Sequence, residues 1–358
     1  TKEAHMYYSG IDLHKDMSLI TTINENGALL SQRKVPNHKA HIITYFNQVS
    51  PQGSDHKAVV ESTANWYWLS DLLTEQGIDL TLAHAKYLKA ISYAKVKTDK
   101  VDSHTLANLL RLDMVPEAHQ ISQDLRPIRD LMRARLSLVV KKTSCRNSIH
   151  RLLAKYNLNL PQYPKPSDFA LLKSKLLPEP KLQLSILEEQ LQLIVRQIKT
   201  LEQSIHPKLI PNPDIQRLLY IPGIGKILAF TIYLEVDGIE RFTSVNRFFS
   251  YCRLVPGADN SNRTVKHKSS KDGNKYLKMA FMEASVRAVQ YFKEIKSFHQ
   301  SKARKKHKHI AKALVAQELA KITYHVLESQ TDFNHMFRGV PLSRHKTTKW
   351  PRLASPGA

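Results

Sequence analysis

The hydrophobic period of this chain changes near Asp113, and that change constrains the fold more than any single motif. Ahead of it, apolar residues come in short runs rich in β-branched and aromatic side chains, separated by turn residues. Beyond it they recur every three or four residues over long stretches. Such a chain cannot be one uniform sheet or one uniform bundle. It reads as an α/β domain followed by an all-α remainder. Residues 7–13, 19–24 and 29–35 predict three adjacent strands, with Glu25-Asn26-Gly27 as a turn. Residues 38–49 and 66–75 predict helices, and 57–61 and 78–83 predict strands. Three neighbouring strands followed by strands alternating with helices predict a mixed sheet.

In the second part, residues 124–156 carry Leu125, Ile128, Met132, Leu136, Val139, Ile149 and Leu153, mostly three and four apart. Pro161, Pro164 and Pro166 break that pattern, and Pro178 and Pro180 break it again. Leu184, Leu187, Leu191, Ile194, Ile198, Leu201 and Ile205 then alternate steps of three and four, which is a heptad seam and predicts a coiled coil. The seam can pair within the chain or between two chains. From about Pro207 the pattern predicts an apolar run over 227–236, a helix over 244–253, a loop over 256–274 and helices over 276–292 and 309–327. A polar, basic tail after Phe337 reads as irregular. The expected organisation is therefore a mixed domain over 1–115, a helical coiled-coil region over 116–206, a mainly helical domain over 207–337 and a tail over 338–358.

Charge narrows the partners. The chain has a net charge of +23 and a pI near 9.8, which points to a polyanion. Between residues 241 and 312 there are 18 Lys and Arg against four acids, a net +14 in one stretch. No window approaches the roughly 18 uninterrupted apolar residues of a membrane-spanning helix, and no secretory signal pattern opens the sequence. The two cysteines, Cys145 and Cys252, lie far apart without ligand-spaced partners, so zinc chemistry is not expected and a reducing cytoplasm is.

Three constellations carry chemistry. The first is acidic: Asp12 in Gly10-Ile11-Asp12, Glu61 closing the run Val59-Val60-Glu61, and Asp99 and Asp102, three apart where a helix begins. Four carboxylates on adjacent elements suit two divalent ions, Mg²⁺ or Mn²⁺, clamping a phosphoryl transfer. Read singly, such acids are turn and capping residues. The second is Ile221-Pro222-Gly223-Ile224-Gly225-Lys226, a glycine-rich turn between helical stretches. It is similar to the hairpin of helix-hairpin-helix modules, where Gly223, Gly225 and Lys226 would meet a phosphate. The plain alternative is a tight turn with no ligand. The third is a serine loop crowded by cations: Ser261 with Arg263, Lys266, Lys268 and Lys271, followed by Gly273-Asn274-Lys275-Tyr276-Leu277. A serine there is either a nucleophile toward phosphorus or a loop residue.

Taken in this order, the three constellations resemble the DEDD transposases of insertion sequences 110 and 1111, which include the Piv invertase and the bridge-RNA-guided recombinases. The resemblance implies a RuvC-like, ribonuclease H-like fold for the first domain, whose acids Asp12, Glu61, Asp99 and Asp102 bind Mg²⁺ (or Mn²⁺). It implies that Ser261 attacks DNA and forms a phosphoserine link, with Ser269 and Ser270 as neighbouring candidates because Arg263 stands where the family often has glycine. It implies further that Arg263, Lys266, Lys268, Lys271, Asn274 and Lys275 face nucleic acid. The expected partners are donor and target double-stranded DNA, a structured noncoding guide RNA and further copies of the chain, in a bacterial cytoplasm at the nucleoid. Two other readings stand beside the recombinase: a metal-dependent nuclease or junction resolvase using water, and a non-catalytic nucleic-acid-binding protein.

Overall fold

The computed structural model describes residues 6–50, 55–91, 98–209, 212–261, 264–269 and 272–333, with the backbone alone for 256–261 and 264–269. The chain divides into two compact units, Thr1–Gln123 and Asp124–Ala358.

The first unit is built on a five-stranded mixed sheet. Strands β1 (Met6–Leu13), β2 (Met17–Asn24) and β3 (Leu29–Pro36) form an antiparallel meander. Helix α1 (Lys39–Val49) leads to β4 (Asp55–Glu61), which runs parallel to β1. Helix α2 (Tyr67–Glu75) leads to β5 (Asp79–Ala83), parallel to β4. The sheet order is β3-β2-β1-β4-β5, and α3 (Ala85–Ile91) and α4 (Asp99–Arg111) follow. The meander uses hairpins because Asn24 and Gly27 make a tight turn, whereas each parallel step needs a crossover helix.

Side-chain alternation sets the layers. Neighbouring residues of a strand point to opposite faces. On β2, Thr21 Oγ1 lies 2.7 Å from Ser103 Oγ of α4, while Thr22 Oγ1 lies 2.8 Å from Tyr45 Oη of α1. Helices α4 and α1 therefore cover opposite faces of the sheet. Ile11, Ile20, Ile23, Val59 and Val60 are fully buried between them.

The second unit is helical: α5 (Arg126–Ala154), α6 (Pro166–Ser174), α7 (Pro178–Leu209), α8 (Pro213–Leu219), α9 (Lys226–Val236), α10 (Val245–Tyr251), then strands β6 (Pro256–Ser261) and β7 (Thr264–Ser269), and finally α11 (Lys275–Tyr291), α12 (Lys293–Ala303) and α13 (Lys308–Glu328). Pro178 and Pro180 sit in the first turn of α7, where proline costs little, so the second predicted break is a helix start. The heptad seam turns inward. Leu184 and Leu191 join Cys145, Ile149, Leu152 and Leu153 of α5 in one core, and Leu187 and Ile194 pack against it. A second core joins α8 to α13 around Phe248, Phe281, Ile232 and Leu277. It is dense in aromatics and includes Cys252, which like Cys145 is a buried free thiol.

The stretch predicted as a loop over 256–274 departs from expectation. Its backbone makes a two-stranded antiparallel ribbon, with Ser261 paired to Thr264 and Pro256 to Ser269. Pro, Gly, Asp and Asn fill the first strand, residues that ordinarily mark turns, and the ribbon has no larger sheet to demand apolar alternation. Pattern reading had nothing to detect.

Candidate active site

The parallel register of β1 and β4 pairs Ile11 with Val60, so Asp12 and Glu61 come next, side by side at the C-terminal ends of adjacent strands. Helix α4 delivers the other two acids to the same end of the sheet. It does so because β1 has glycine at position 10: a Cβ there would meet the Ser103 carbonyl oxygen, the Ala107 amide and, at 2.8 Å, Leu106 Cβ. Only a bare Cα lets the first turns of α4 lie this close to β1. The sequence could have shown this, since Gly10 stands two residues before Asp12.

Thr98 takes the capping role at the start of α4, its Oγ1 accepting from the Val101 amide at 3.3 Å. Asp99 and Asp102 both lie in the first turn. The capping role that either might have filled is thus served by Thr98, and Asp99 turns to His14, whose Nε2 lies 3.6 Å from Asp99 Oδ2 and 3.2 Å from Asp12 Oδ2. Donor atoms of Asp12, His14 and Asp99 all lie within 4.8 Å of one another.

Electrostatics make the crowding visible. Burial pushes the Asp12 carboxyl above its ordinary range, His14 pulls it down, and the charges of Asp99 and Asp102 push it up again. A divalent cation relieves this like-charge crowding while the carboxylates supply the hard oxygen donors that Mg²⁺ and Mn²⁺ prefer, so the residues fit such an ion.

Sequence reading missed His14, Asn37 and Asn65. The His14 carbonyl accepts from Asn37 Nδ2 at 2.9 Å and from Asn65 Nδ2 at 3.0 Å, which holds the loop after Asp12 in place. Asn65 lies four residues past Glu61, so the loop carrying one acid braces the loop following another. The motif Gly10-Ile11-Asp12-Leu13-His14 contained the signal: an imidazole two residues beyond a candidate ligand.

The other predicted residues lie in the second unit. Gly223 has φ +81°, and a Cβ there would meet the Ala284 carbonyl oxygen and, at 2.9 Å, the Ala288 amide of α11. Its glycine thus serves close packing in a tight turn. Gly225 caps α9 with open space around it, and the exposed Lys226 places Nζ 3.2 Å from His206 Nε2. Ser261 ends β6, while Lys266, Lys268 and Ser269 lie on β7. Arg263, Ser270 and Lys271 fall outside the described residues. Lys275 is exposed, with Nζ 5.1 Å from the Tyr276 ring centroid.

Asn274 is buried and fully engaged. Its Oδ1 accepts from the Tyr276 and Leu277 amides at 2.9 and 3.1 Å, capping α11, and its Nδ2 donates to Glu235 Oε2 at 2.7 Å. Glu235, 3% exposed, also receives Arg133 in two hydrogen bonds of 2.7 and 2.8 Å and Arg129 at 3.2 Å. Burial raises its carboxyl, but Arg133, Arg129 and Asn274 outweigh that and hold it below the ordinary range. Arg253 Nε donates to the Gly273 carbonyl at 2.7 Å, and the Asn274 amide donates to the Tyr251 carbonyl at 2.5 Å. These bonds pinch together the two ends of the segment that carries the β6–β7 ribbon, so its base is fixed to the helical core.

Comparison with known proteins finds matches in both parts of the chain. A family model for DEDD transposases of the IS110 group, described as "Transposase", matches residues 9–158, and one described as "Transposase IS116/IS110/IS902 family" matches residues 215–300. A probable family 20 transposase of Pseudomonas aeruginosa is 23% identical over 291 residues, covering 78% of this chain and 83% of its own. The transposase for insertion sequence element IS1111A of Coxiella burnetii is 24% identical, covering 79% of this chain and 78% of its own. The transposase for IS1328 of Yersinia enterocolitica is 21% identical, covering 91% of this chain and 98% of its own. With the acid-bearing sheet matched by one model and the glycine turn, ribbon and Asn274 cap by the other, the chain belongs to the IS110/IS1111 family of transposases.

Proposed function

We propose that this transposase is a serine recombinase with a RuvC-like metal-binding domain and a helical domain that bears the nucleophile. The observation that carries the reading is the convergence of Asp12, Asp99 and His14 at one end of a mixed sheet ordered β3-β2-β1-β4-β5, with Glu61 beside Asp12 in register. That order, an antiparallel meander extended by two parallel strands, supports a ribonuclease H-like reading of this unit. In the proposal Asp12, Glu61, Asp99 and Asp102 hold Mg²⁺ or Mn²⁺. Bound there, the ions stabilise charge on the phosphoryl oxygens of DNA. The Ser261 hydroxyl attacks phosphorus and loses its proton to solvent, while a deoxyribose oxygen leaves with the bonding pair. The phosphoserine ester retains the energy of the broken bond, so attack by another deoxyribose hydroxyl rejoins strands without ATP.

Lys266, Lys268 and Lys275, with Arg263 and Lys271, track phosphates near the serine, and Gly225 and Lys226 offer a further phosphate contact. Donor and target duplexes are chosen by a structured noncoding RNA held through its backbone. The protein works as a homo-oligomer in the bacterial cytoplasm, at the nucleoid. Asn274 acts indirectly, anchoring the ribbon through Glu235. Chain organisation follows the function: a metal domain over 1–115, a helical spacer over 116–206, the serine domain over 207–337 and a basic tail over 338–358.

The test is a denaturing gel of protein incubated with donor DNA and Mg²⁺. Wild type gives a protein-linked DNA band, and Ser261→Ala gives none. Cleaved DNA without attached protein, at a rate unchanged in Ser261→Ala, would replace the recombinase with a water-using nuclease. Asp12→Ala abolishes both products in either case, and its failure to do so would reduce the acids to helix and turn chemistry.

A further inference from the structure

We infer that His14 is a metal ligand alongside Asp12 and Asp99, and that its nitrogen tilts this centre toward Mn²⁺ over Mg²⁺. The inference deepens the reading above and rests on it. Four acids suffice for a pair of hard cations, and nothing in that requirement calls for an imidazole. Yet His14 Nε2 lies 3.2 Å from Asp12 Oδ2 and 3.6 Å from Asp99 Oδ2, between the two carboxylates that would share the ion. The three donor atoms lie within 4.8 Å of one another, a spread that one cation bridges with ligand bonds of roughly 2.0–2.3 Å.

The backbone of His14 is placed rather than loose. Its carbonyl accepts from Asn37 and Asn65 at 2.9 and 3.0 Å, and its amide donates to the Met17 carbonyl at 3.2 Å. Asn37 follows β3 and Asn65 follows β4, so two separate parts of the unit fix where residue 14 sits. The side chain itself is 55% exposed, which leaves the ring room to turn from a carboxylate onto an ion. A well-anchored main chain bearing a mobile ring beside two carboxylates is what a ligand arm requires.

The nitrogen decides which ion gains. Mg²⁺ is hard, retains water and takes oxygen donors, so an imidazole adds little to its binding. Mn²⁺ accepts the same carboxylates and, as a first-row transition metal, even at the weak end of the Irving–Williams order, gains more from an imidazole nitrogen than the harder Mg²⁺ does. His14 therefore adds affinity selectively.

Mn²⁺ titration of the full-length, metal-stripped protein followed by electron paramagnetic resonance tests this, with Mg²⁺ as competitor and spin-echo modulation reporting nitrogen bound to manganese. Wild type shows a directly bound ¹⁴N. His14→Ala loses it, weakens Mn²⁺ by about tenfold and leaves Mg²⁺ within about twofold. His14→Asp, which returns an oxygen donor, restores tight binding and raises Mg²⁺ relative to Mn²⁺. Absence of nitrogen coupling in wild type, or its persistence in His14→Ala, overturns the inference. Asp12→Asn separates this from its parent: if it abolishes Mn²⁺ binding while His14→Ala changes neither spectrum nor affinity, only the role of His14 falls. If Asp12→Asn leaves Mn²⁺ binding intact, the acidic centre itself is refuted.

Discussion

His56 shows how much a single buried residue can contribute to the first unit. It is 6% exposed, its Nε2 lies 2.8 Å from Ser9 Oγ and its Nδ1 lies 3.1 Å from Ser50 Oγ, with Phe46 packed edge-on at 5.0 Å. Burial lowers its pKa from 6.5 to about 4. In the unfolded chain the imidazole takes its proton near pH 6.5. In the fold it does so only near pH 4, so acid favours unfolding. Stability is full above about pH 6.5 and falls as pH drops toward about 4, by about 3 kcal/mol in the limit. Thermal melts of the first unit at pH 7 and pH 4.5 should show the drop, and His56→Gln should flatten it. None of this was legible beforehand. A histidine between Asp55 and Lys57 has no sequence mark that distinguishes a buried neutral ring from a solvated one.

At the scale of elements, two close contacts fix the surroundings of the candidate residues. Gly10 admits α4 to β1, and with it Asp99 and Asp102 to Asp12. Gly10→Ala forces backbone apart rather than a flexible side chain. It should destabilise the first unit by about 1–3 kcal/mol in denaturant titrations and weaken divalent-ion binding in parallel. A variant that keeps ion affinity while losing stability would separate packing from the site. The second contact is the Glu235 cluster, which ties α5 and α9 to the cap of α11. Glu235→Ala removes the buried carboxylate that both Arg129 and Arg133 pair with, at a cost of about 3–5 kcal/mol in chemical denaturation. The carboxyl is held below its ordinary range, so this contribution persists at neutral pH and fades only as acid protonates Glu235. Helix α9 showed only as an apolar run because it is buried over most of its surface, whereas α5, α11 and α13 were visible as periodic apolar stretches because each buries a stripe. Glu235 was not, since a charge inside the apolar run 227–236 gives no hint of two arginines a hundred residues earlier.

For the molecule as a whole, charge was the most direct guide to its partner, and the structure sorts that charge by use. Within the basic stretch Arg241 and Arg253 donate to the Val236 and Gly273 carbonyls at 2.8 and 2.7 Å, so they act as internal struts. Arg304, Lys305 and Lys306 are exposed between α12 and α13, and Lys308 is exposed at the first position of α13. Affinity for DNA should therefore fall steeply with salt, and Lys305→Ala with Lys306→Ala should reduce the log-log slope by about two units. A slope unchanged by the pair would remove this turn from the interface. The sequence by itself determined the class of each half, the five strands of the first sheet, the longer helices and the basic excess. These are local patterns, written in the spacing of apolar residues and in charges that need no partner to be counted. Tertiary structure decided that the heptad seam closes on α5, that Asn274 and Gly223 serve packing, that the serine stretch is a ribbon pinned at its base, and that His14 stands between two aspartates. The physical reason is common to all four. Each depends on a contact between residues far apart in the chain, whose approach is set by backbone clearance and burial.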